Sequence, residues 1–326
     1  MARGMTANSA QAIPLEAVGA VLRDELAHGD ALIGTISPIL RHLLANDEHS
    51  VFGDDIIARV RGMMNHVARQ LLDQLAIAAG EEDQRDHDPA RVAGLVERLV
   101  AHTGFLSHVH ALALEWQLAE RLQARLALDP VLSPLLQALV ASSEPAVAAS
   151  GMALLSSLAR HAQAQRRMQL PLRELPGDLL HAAVLALRGI ATADEAGQAA
   201  VVQAERAIRE DYDEGRSRLG LISRLLTGMG GGATVALSVT HAGTAMFLSA
   251  LALASGQDRD MAILATNEGQ LARFALALRA AGLKQQAVEE QFFSLHPDVA
   301  LPPGFEQIGA DQAAALLSRS AIYPGS

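Results

Sequence analysis

Five glycines separate short apolar runs at equal intervals of thirteen residues: Gly230, Gly243, Gly256, Gly269 and Gly282. Along one continuous helix, thirteen residues turn by about 1300°, so these glycines would not share a face. A glycine that follows an apolar run commonly ends a helix, because glycine adopts left-handed backbone angles without strain. The spacing therefore predicts several helices of about ten residues with glycine stops between them, rather than one long helix.

The composition favours helices throughout the chain. Half of the 326 residues are hydrophobic but only 3 % are aromatic, so a core must be built from leucine, alanine, valine and isoleucine. Leucine and alanine are strong helix formers, and the β-branched runs typical of strands are nearly absent. Short helix pairs cannot bury their apolar faces alone and must stack. We predict an all-α protein of stacked short helix pairs.

Cysteine content and charge exclude several classes of function. The chain has no cysteine, which rules out disulfides, thiolate zinc sites and cysteine nucleophiles. Its net charge of −10 argues against a nucleic-acid partner. The first twelve residues lack the apolar segment of a signal peptide, so we expect a cytoplasmic protein.

One segment is long enough to span a membrane. Residues 225–257 contain no Asp, Glu, Lys or Arg. The segment also contains a glycine cluster, several Ser and Thr residues and His241, which make its transfer into lipid less favourable. We predict two buried helices broken near Gly243, and no membrane span.

The N-terminal part is expected to form a helical bundle over residues 13–103, after a disordered segment over residues 1–12. A helix that begins at Pro14 is predicted to stop at His28-Gly29, and Ser37-Pro38 to start the next one.

A longer helix is predicted over residues 54–79. Its apolar stripe includes Val60, Met64 and Val67, and its length of about 39 Å is typical of a bundle or a dimer seam. We expect the protein to form a homo-oligomer through these three residues.

A second region, residues 104–300, is predicted to hold the stacked pairs, followed by a C-terminal tail over residues 301–326 that frays around a short helix at 312–317. Asp129-Pro130 and Glu144-Pro145 each resemble a helix start, which predicts a hairpin of helices 130–141 and 145–161. The three arginines between residues 216 and 224 are interpreted as a solvated helix face.

This hairpin resembles a HEAT repeat. The resemblance lies in residues 132–141, the turn 142–145 and residues 146–155, and it departs from the HEAT pattern at Ala148-Ala149, where an arginine or lysine is usual. Together with residues 118–122 and 278–283, the order of features over residues 100–300 resembles a bacterial domain-of-unknown-function family, number 2336. The resemblance implies a HEAT-like, all-helical protein without an established activity.

The residues that could carry chemistry are few. The chain has no zinc-protease, P-loop or serine-hydrolase motif. The glycine cluster at 228–232 could offer free N–H groups to a phosphate, but no lysine or strand supports this alternative. His102, His108 and His110 form the densest histidine group; His108 and His110 are about 200° apart on a helix, which argues against a shared metal. His66 is a candidate phospho-accepting histidine.

From these observations we expect a non-enzymatic protein-interaction or scaffold module with an unidentified protein partner and neither cofactor nor metal. Two alternatives remain open. One is a helical-bundle signalling protein that uses His66 to accept or sense phosphate. The other is an enzyme with a nucleotide at residues 228–232.

Overall fold

The computed structural model describes residues 14–45, 54–81, 87–190 and 195–320, and these ranges contain fourteen α-helices and no strand. The predicted all-α class is confirmed. The proposed disordered segment 1–12 lies outside the described residues. In chain order the helices are α1 Leu15–Ala45, α2 Asp54–Ala78, α3 Pro89–Ala101, α4 Thr103–Leu126, α5 Pro134–Val140, α6 Pro145–Arg166, α7 Gly177–Arg188, α8 Glu195–Asp211, α9 Arg218–Met229, α10 Val239–Ser255, α11 Arg259–Leu264, α12 Leu271–Ala280, α13 Gln285–Leu295 and α14 Ala310–Ser318.

Four of the five equally spaced glycines have the left-handed backbone that the spacing predicts. Gly230 and Gly256 follow the last residues of α9 and α10, and Gly282 follows the end of α12. Gly243, with φ of 73°, interrupts α10 near its start. Gly269 differs: it lies in a single 3-10 turn between α11 and α12, where an added Cβ would meet Leu32 at 3.2 Å. The thirteen-residue spacing thus marks helix ends and one kink.

The end of α12 at Gly282, one of the predicted glycine stops, is a Schellman motif. The N–H of Leu283 donates to the carbonyl of Leu278 at 3.2 Å, and the N–H of Gly282 donates to that of Arg279 at 3.0 Å. This pair of bonds satisfies two carbonyls that the helix leaves free. Leu283 also packs against the apolar core, which is the usual companion contact of the motif.

We expect Gly282→Val to lower the free energy of unfolding by about 1–2 kcal/mol. An added side chain would have open space, so the cost comes from forcing a β-branched residue to a φ of 89°. Urea unfolding followed by far-UV circular dichroism measures the difference. Gly228→Val, at a helical glycine with equally open surroundings, is the control for side-chain effects alone.

The predicted break at His28-Gly29 and the predicted start at Ser37-Pro38 are both wrong, because α1 is one helix of 31 residues. Gly29 serves a close approach instead: the Gln270 side-chain amide donates to the Gly29 carbonyl at 2.6 Å, and an added Cβ would lie 2.7 Å from the Gln270 Oε1. Pro38 lies inside α1, and it has no N–H with which to bond the Gly34 carbonyl.

The predicted hairpin exists with shifted bounds. Asp129 accepts from the N–H groups of Val131 and Leu132 and forms a turn, so α5 begins only at Pro134, after the N-cap Ser133. α6 begins at Pro145 as predicted and continues to Arg166. The most extensive packing joins sequence neighbours, such as α5 with α6 and α2 with α3, and also distant partners, such as α2 with α8 and α4 with α11. A stacked-pair repeat remains a prediction.

Two apolar cores form, and they divide the chain differently from the predicted boundary at 103/104. The first core joins the N-terminal half of α1, the C-terminal half of α4 and helices α5, α6 and α9–α14. The second joins the C-terminal end of α1, helices α2 and α3, the start of α4 and helices α7 and α8. Helices α1 and α4 therefore belong to both cores and connect them.

Two predictions about the C-terminal third have opposite outcomes. The helix expected to fray in the tail is instead packed: α14 buries Ala313, Leu316 and Leu317 against the first core. In contrast, the break predicted near Gly243 is confirmed by its non-helical backbone. Among the described residues no helix has the length and apolar character to cross a membrane.

Candidate binding cleft

A cavity of about 610 Å³ opens where α1 passes from the first core to the second. We call it the cleft. Its walls come from α1, α4, α7 and α11, with the start of α9. Its apolar lining residues are Ile33, Ile36, Leu179, Leu219, Met261 and Leu264. A concave site of this size with apolar walls and a few polar groups is typical of ligand binding.

A buried ion cluster lies behind the cleft. Glu115 of α4 is only 4 % exposed and accepts hydrogen bonds from both nitrogens of the Arg218 fork, at 2.6 and 3.1 Å, and of the Arg259 fork, at 2.7 and 2.9 Å. The backbone N–H of Arg218 donates to the Glu174 carboxylate at 3.0 Å. We call these four residues the Glu115 cluster. It ties α4, α9 and α11 to the segment before α7.

The arginines keep Glu115 ionised. Burial alone would raise the pKa of this carboxyl, but Arg218 and then Arg259 hold it well below its usual range. Burial likewise disfavours the charge on Arg218, yet Glu115 outweighs burial and raises the Arg218 pKa. Within the cluster, Glu115, Arg218 and Arg259 thus form an ion triad whose members depend on one another for their charge.

His108 and Asp260 form a second polar pair at the wall of the cleft. The Nδ1 of His108 lies 3.0 Å from an Asp260 carboxylate oxygen. Burial would raise the Asp260 pKa, but His108 lowers it overall, so the carboxylate is ionised. The other ring nitrogen of His108, Nε2, is buried and has no hydrogen-bond partner among the described residues. This nitrogen is closed to solvent in the structure, so no water can bond to it there.

His110 is the buried imidazole of the cleft whose ring makes no hydrogen bond within the described part of the chain. It is 9 % exposed and lines the cleft. Burial lowers its pKa to about 4, although the nearby Asp260 acts in the opposite direction. At neutral pH the imidazole is therefore uncharged and can offer one acceptor and one donor to a ligand.

Two further residues of α1 add polar groups to the lining of the cleft. The Gly34 carbonyl loses its helical partner because Pro38 carries no N–H, and both residues line the cleft. Ser37 lines it as well. The basic residues of the cleft are different, because they are already bonded: Arg41 donates to Val100, Ala101 and Thr103, and Arg259 donates to Glu115 and Ser249.

The structure separates the three histidines of the predicted group. His102 is the N-cap of α4, where its Nδ1 accepts from the N–H of Phe105 at 3.0 Å. His108 and His110 both line the cleft. No group of three residues able to hold a metal occurs in the described part of the chain.

The other two candidate sites lie outside the cleft. His66 is half-buried, with its Nδ1 2.9 Å from the carbonyl of Leu170 and 2.8 Å from the amide nitrogen of Gln70. A signalling function for His66 remains a prediction. Residues 228–232 include the end of α9 and the start of a 3-10 helix.

The predicted location of the homo-oligomer interface, on α2, is wrong. Val60, Met64 and Val67 are each 0 % exposed and pack in the second core, where α2 contacts α3, α4 and α8. Polar residues at these positions would disrupt the core of a single chain rather than an interface. Self-association stays a prediction without a location, to be measured by light scattering at high micromolar concentration.

Sequence reasoning missed the Glu115 cluster and misread Arg218. The three arginines between residues 216 and 224 were expected to be solvated, but Arg218 is 2 % exposed. A signal for Glu115 was present: it is the only charge in the stretch 111–119 of α4, where Gln117 is the only other strongly polar residue. A single charge on an apolar helix face indicates a buried partner.

Comparisons with known proteins add no relative. No family model, curated protein or solved structure matches the chain. The resemblance to family 2336 therefore remains a prediction.

Proposed function

We propose that this protein is a non-enzymatic, cytoplasmic binding module that receives a segment of a partner protein in the cleft. The observation that carries the proposal is His110, a buried and uncharged imidazole without an internal hydrogen bond, set among apolar walls. Its ring nitrogens keep contact with solvent, unlike the Nε2 of His108, so a ligand in the cleft can displace water and bond to them.

Recognition is favoured over catalysis by the state of the other polar groups. The free nitrogen of His108 is closed to solvent, and Arg41 and Arg259 already donate to protein atoms. No described nucleophile is paired with an accessible base at the cleft. The apolar side chains of α1, α7 and α11 can hold an anchoring side chain, which is how a few residues supply most of the affinity at protein interfaces.

Filling the cleft tests this proposal without disturbing the fold. Gly34 lines the cleft, lies in a helix, and has no atom within 4 Å of an added Cβ. We expect Gly34→Phe to occupy the cleft and to weaken binding of peptides selected against the wild type from a displayed library of random twelve-residue peptides. The expected loss in affinity is about tenfold or more, the effect of displacing one anchor side chain.

The matched control is Gly94→Phe in α3, another helical glycine with open surroundings that does not line the cleft. It should retain the peptide affinity of the wild type. Selected peptides that bind Gly34→Phe as tightly as the wild type, or a selection that yields no binder, would refute a segment-binding function for the cleft.

A further inference from the structure

The charged groups of the cleft divide into bonded bases and free acids. Arg41 and Arg259 make three hydrogen bonds each to side chains or carbonyls of the protein. In contrast, Asp178 and Asp258 line the cleft, are exposed, and make neither a side-chain hydrogen bond nor an ion pair within the described part of the chain. The charges left for a ligand are therefore negative.

The uncharged polar groups add acceptors, and His110 and Ser37 can also donate. The Gly34 carbonyl can only accept a hydrogen bond, and it lacks the N–H that a non-proline residue at position 38 would supply. His110 is 9 % exposed, has no partner, and as a neutral imidazole can accept one hydrogen bond. An anionic ligand would meet two free carboxylates and no free base. A cationic hydrogen-bond donor, in contrast, would meet the two carboxylates, the Gly34 carbonyl and the acceptor nitrogen of His110.

We infer that the cleft takes a cationic group, an ammonium or a guanidinium, carried on an apolar body, and that a basic side chain of the partner segment supplies it. This inference rests on the proposed function. The apolar stem of a lysine or arginine packs against Ile33, Met261 and Leu264, while the charged head reaches Asp178 and Asp258. The whole chain has a net charge of −10, which favours approach of a basic segment.

Three acetylated and amidated tripeptides that differ only in their central residue test the charge preference: Leu-Lys-Leu, Leu-Gln-Leu and Leu-Glu-Leu. Calorimetric titration of the full chain at low salt should give the lysine peptide an affinity about tenfold above that of the glutamine peptide, with the glutamate peptide weakest. Raising the salt concentration should reduce the difference between lysine and glutamine.

Removal of the two free carboxylates provides the matched variant. Asp178→Asn with Asp258→Asn should lower the affinity for the lysine peptide to that for the glutamine peptide. Asp298→Asn with Asp311→Asn changes the net charge equally at two exposed residues outside the cleft and should leave the preference intact.

The outcomes separate this inference from the proposed function. Equal affinities for the three peptides, a preference for glutamate, or an equal effect of the control pair would overturn the cationic ligand. If binding of all three peptides is nevertheless lost in Gly34→Phe, the cleft binds peptides but does not select a cationic side chain. If no tripeptide binds, the cationic ligand is overturned, and the peptide selection against Gly34→Phe decides the proposed function independently.

Discussion

Glu115→Leu is expected to lower the free energy of unfolding by about 3–5 kcal/mol, because it leaves two buried arginine charges without their shared partner. Arg218 is 2 % exposed and Arg259 is largely buried, so solvent cannot replace the four hydrogen bonds that the carboxylate accepts. Urea unfolding monitored by circular dichroism measures the loss. If the variant does not fold, Glu115→Gln, which keeps the shape, is expected to show a smaller loss in the same direction.

Two controls distinguish the loss of charge pairing from the loss of packing. Glu120→Leu lies on the same helix, but Glu120 is half-exposed and 3.9 Å from Arg59, so its change should stay within about 1 kcal/mol. The triple variant Glu115→Leu, Arg218→Met, Arg259→Met removes the whole triad and should recover much of the stability. A Glu115→Leu protein as stable as the wild type would show that the arginines find other partners.

Acidification from pH 7 to pH 5 is expected to destabilise the wild type by about 2 kcal/mol through His110 alone. Burial lowers its pKa to about 4 in the folded protein, from 6.5 in the unfolded chain. Between these two values the unfolded chain binds a proton that the folded chain does not bind, so the free energy of unfolding falls as pH falls through this window. Burial, assisted by Arg218, also lowers the pKa of His161, which acts in the same direction.

Urea unfolding at both pH values isolates the contribution of His110. His110→Gln removes its titration and should reduce the difference between pH 7 and pH 5 by about 2 kcal/mol. His28→Gln, at an exposed histidine of α1, should leave that difference unchanged. The same pH dependence in wild type and His110→Gln would mean that the imidazole is not buried uncharged.

The sequence predicted those parts of the fold that local chemistry decides. Gly256 and Gly282 end helices because left-handed backbone favours glycine, and Glu144-Pro145 starts a helix because the missing N–H of proline has no partner there anyway. These rules involve only neighbouring residues. A local contact can also overrule them: at Asp129-Pro130 the Asp129 carboxylate forms a turn with Val131 and Leu132, and the helix begins only at Pro134.

Contacts between residues far apart in the sequence account for the other failed predictions. Gly29 does not end α1, because its small size admits Gln270 from 241 residues away. The cleft could not be predicted either, since its residues come from five helices whose arrangement no sequence spacing reveals. His108 and His110 were noticed as a pair, but Asp260, which contacts His108 across 152 residues, could not be assigned to them from sequence.

The position of α1 across both cores has a consequence for synthesis on the ribosome. All the buried apolar residues of the second core lie between Leu40 and Ile208, so they have been made before helices α9–α14 of the first core. The first core needs both Val18 and Leu317, and Asp30 receives its bonds from Arg273 and Ser320. At about 5–20 residues per second, Gly29 precedes Gln270 by roughly 12–48 s, during which the N-terminal half of α1 exposes its apolar face. The second core can therefore form while the first core is still incomplete.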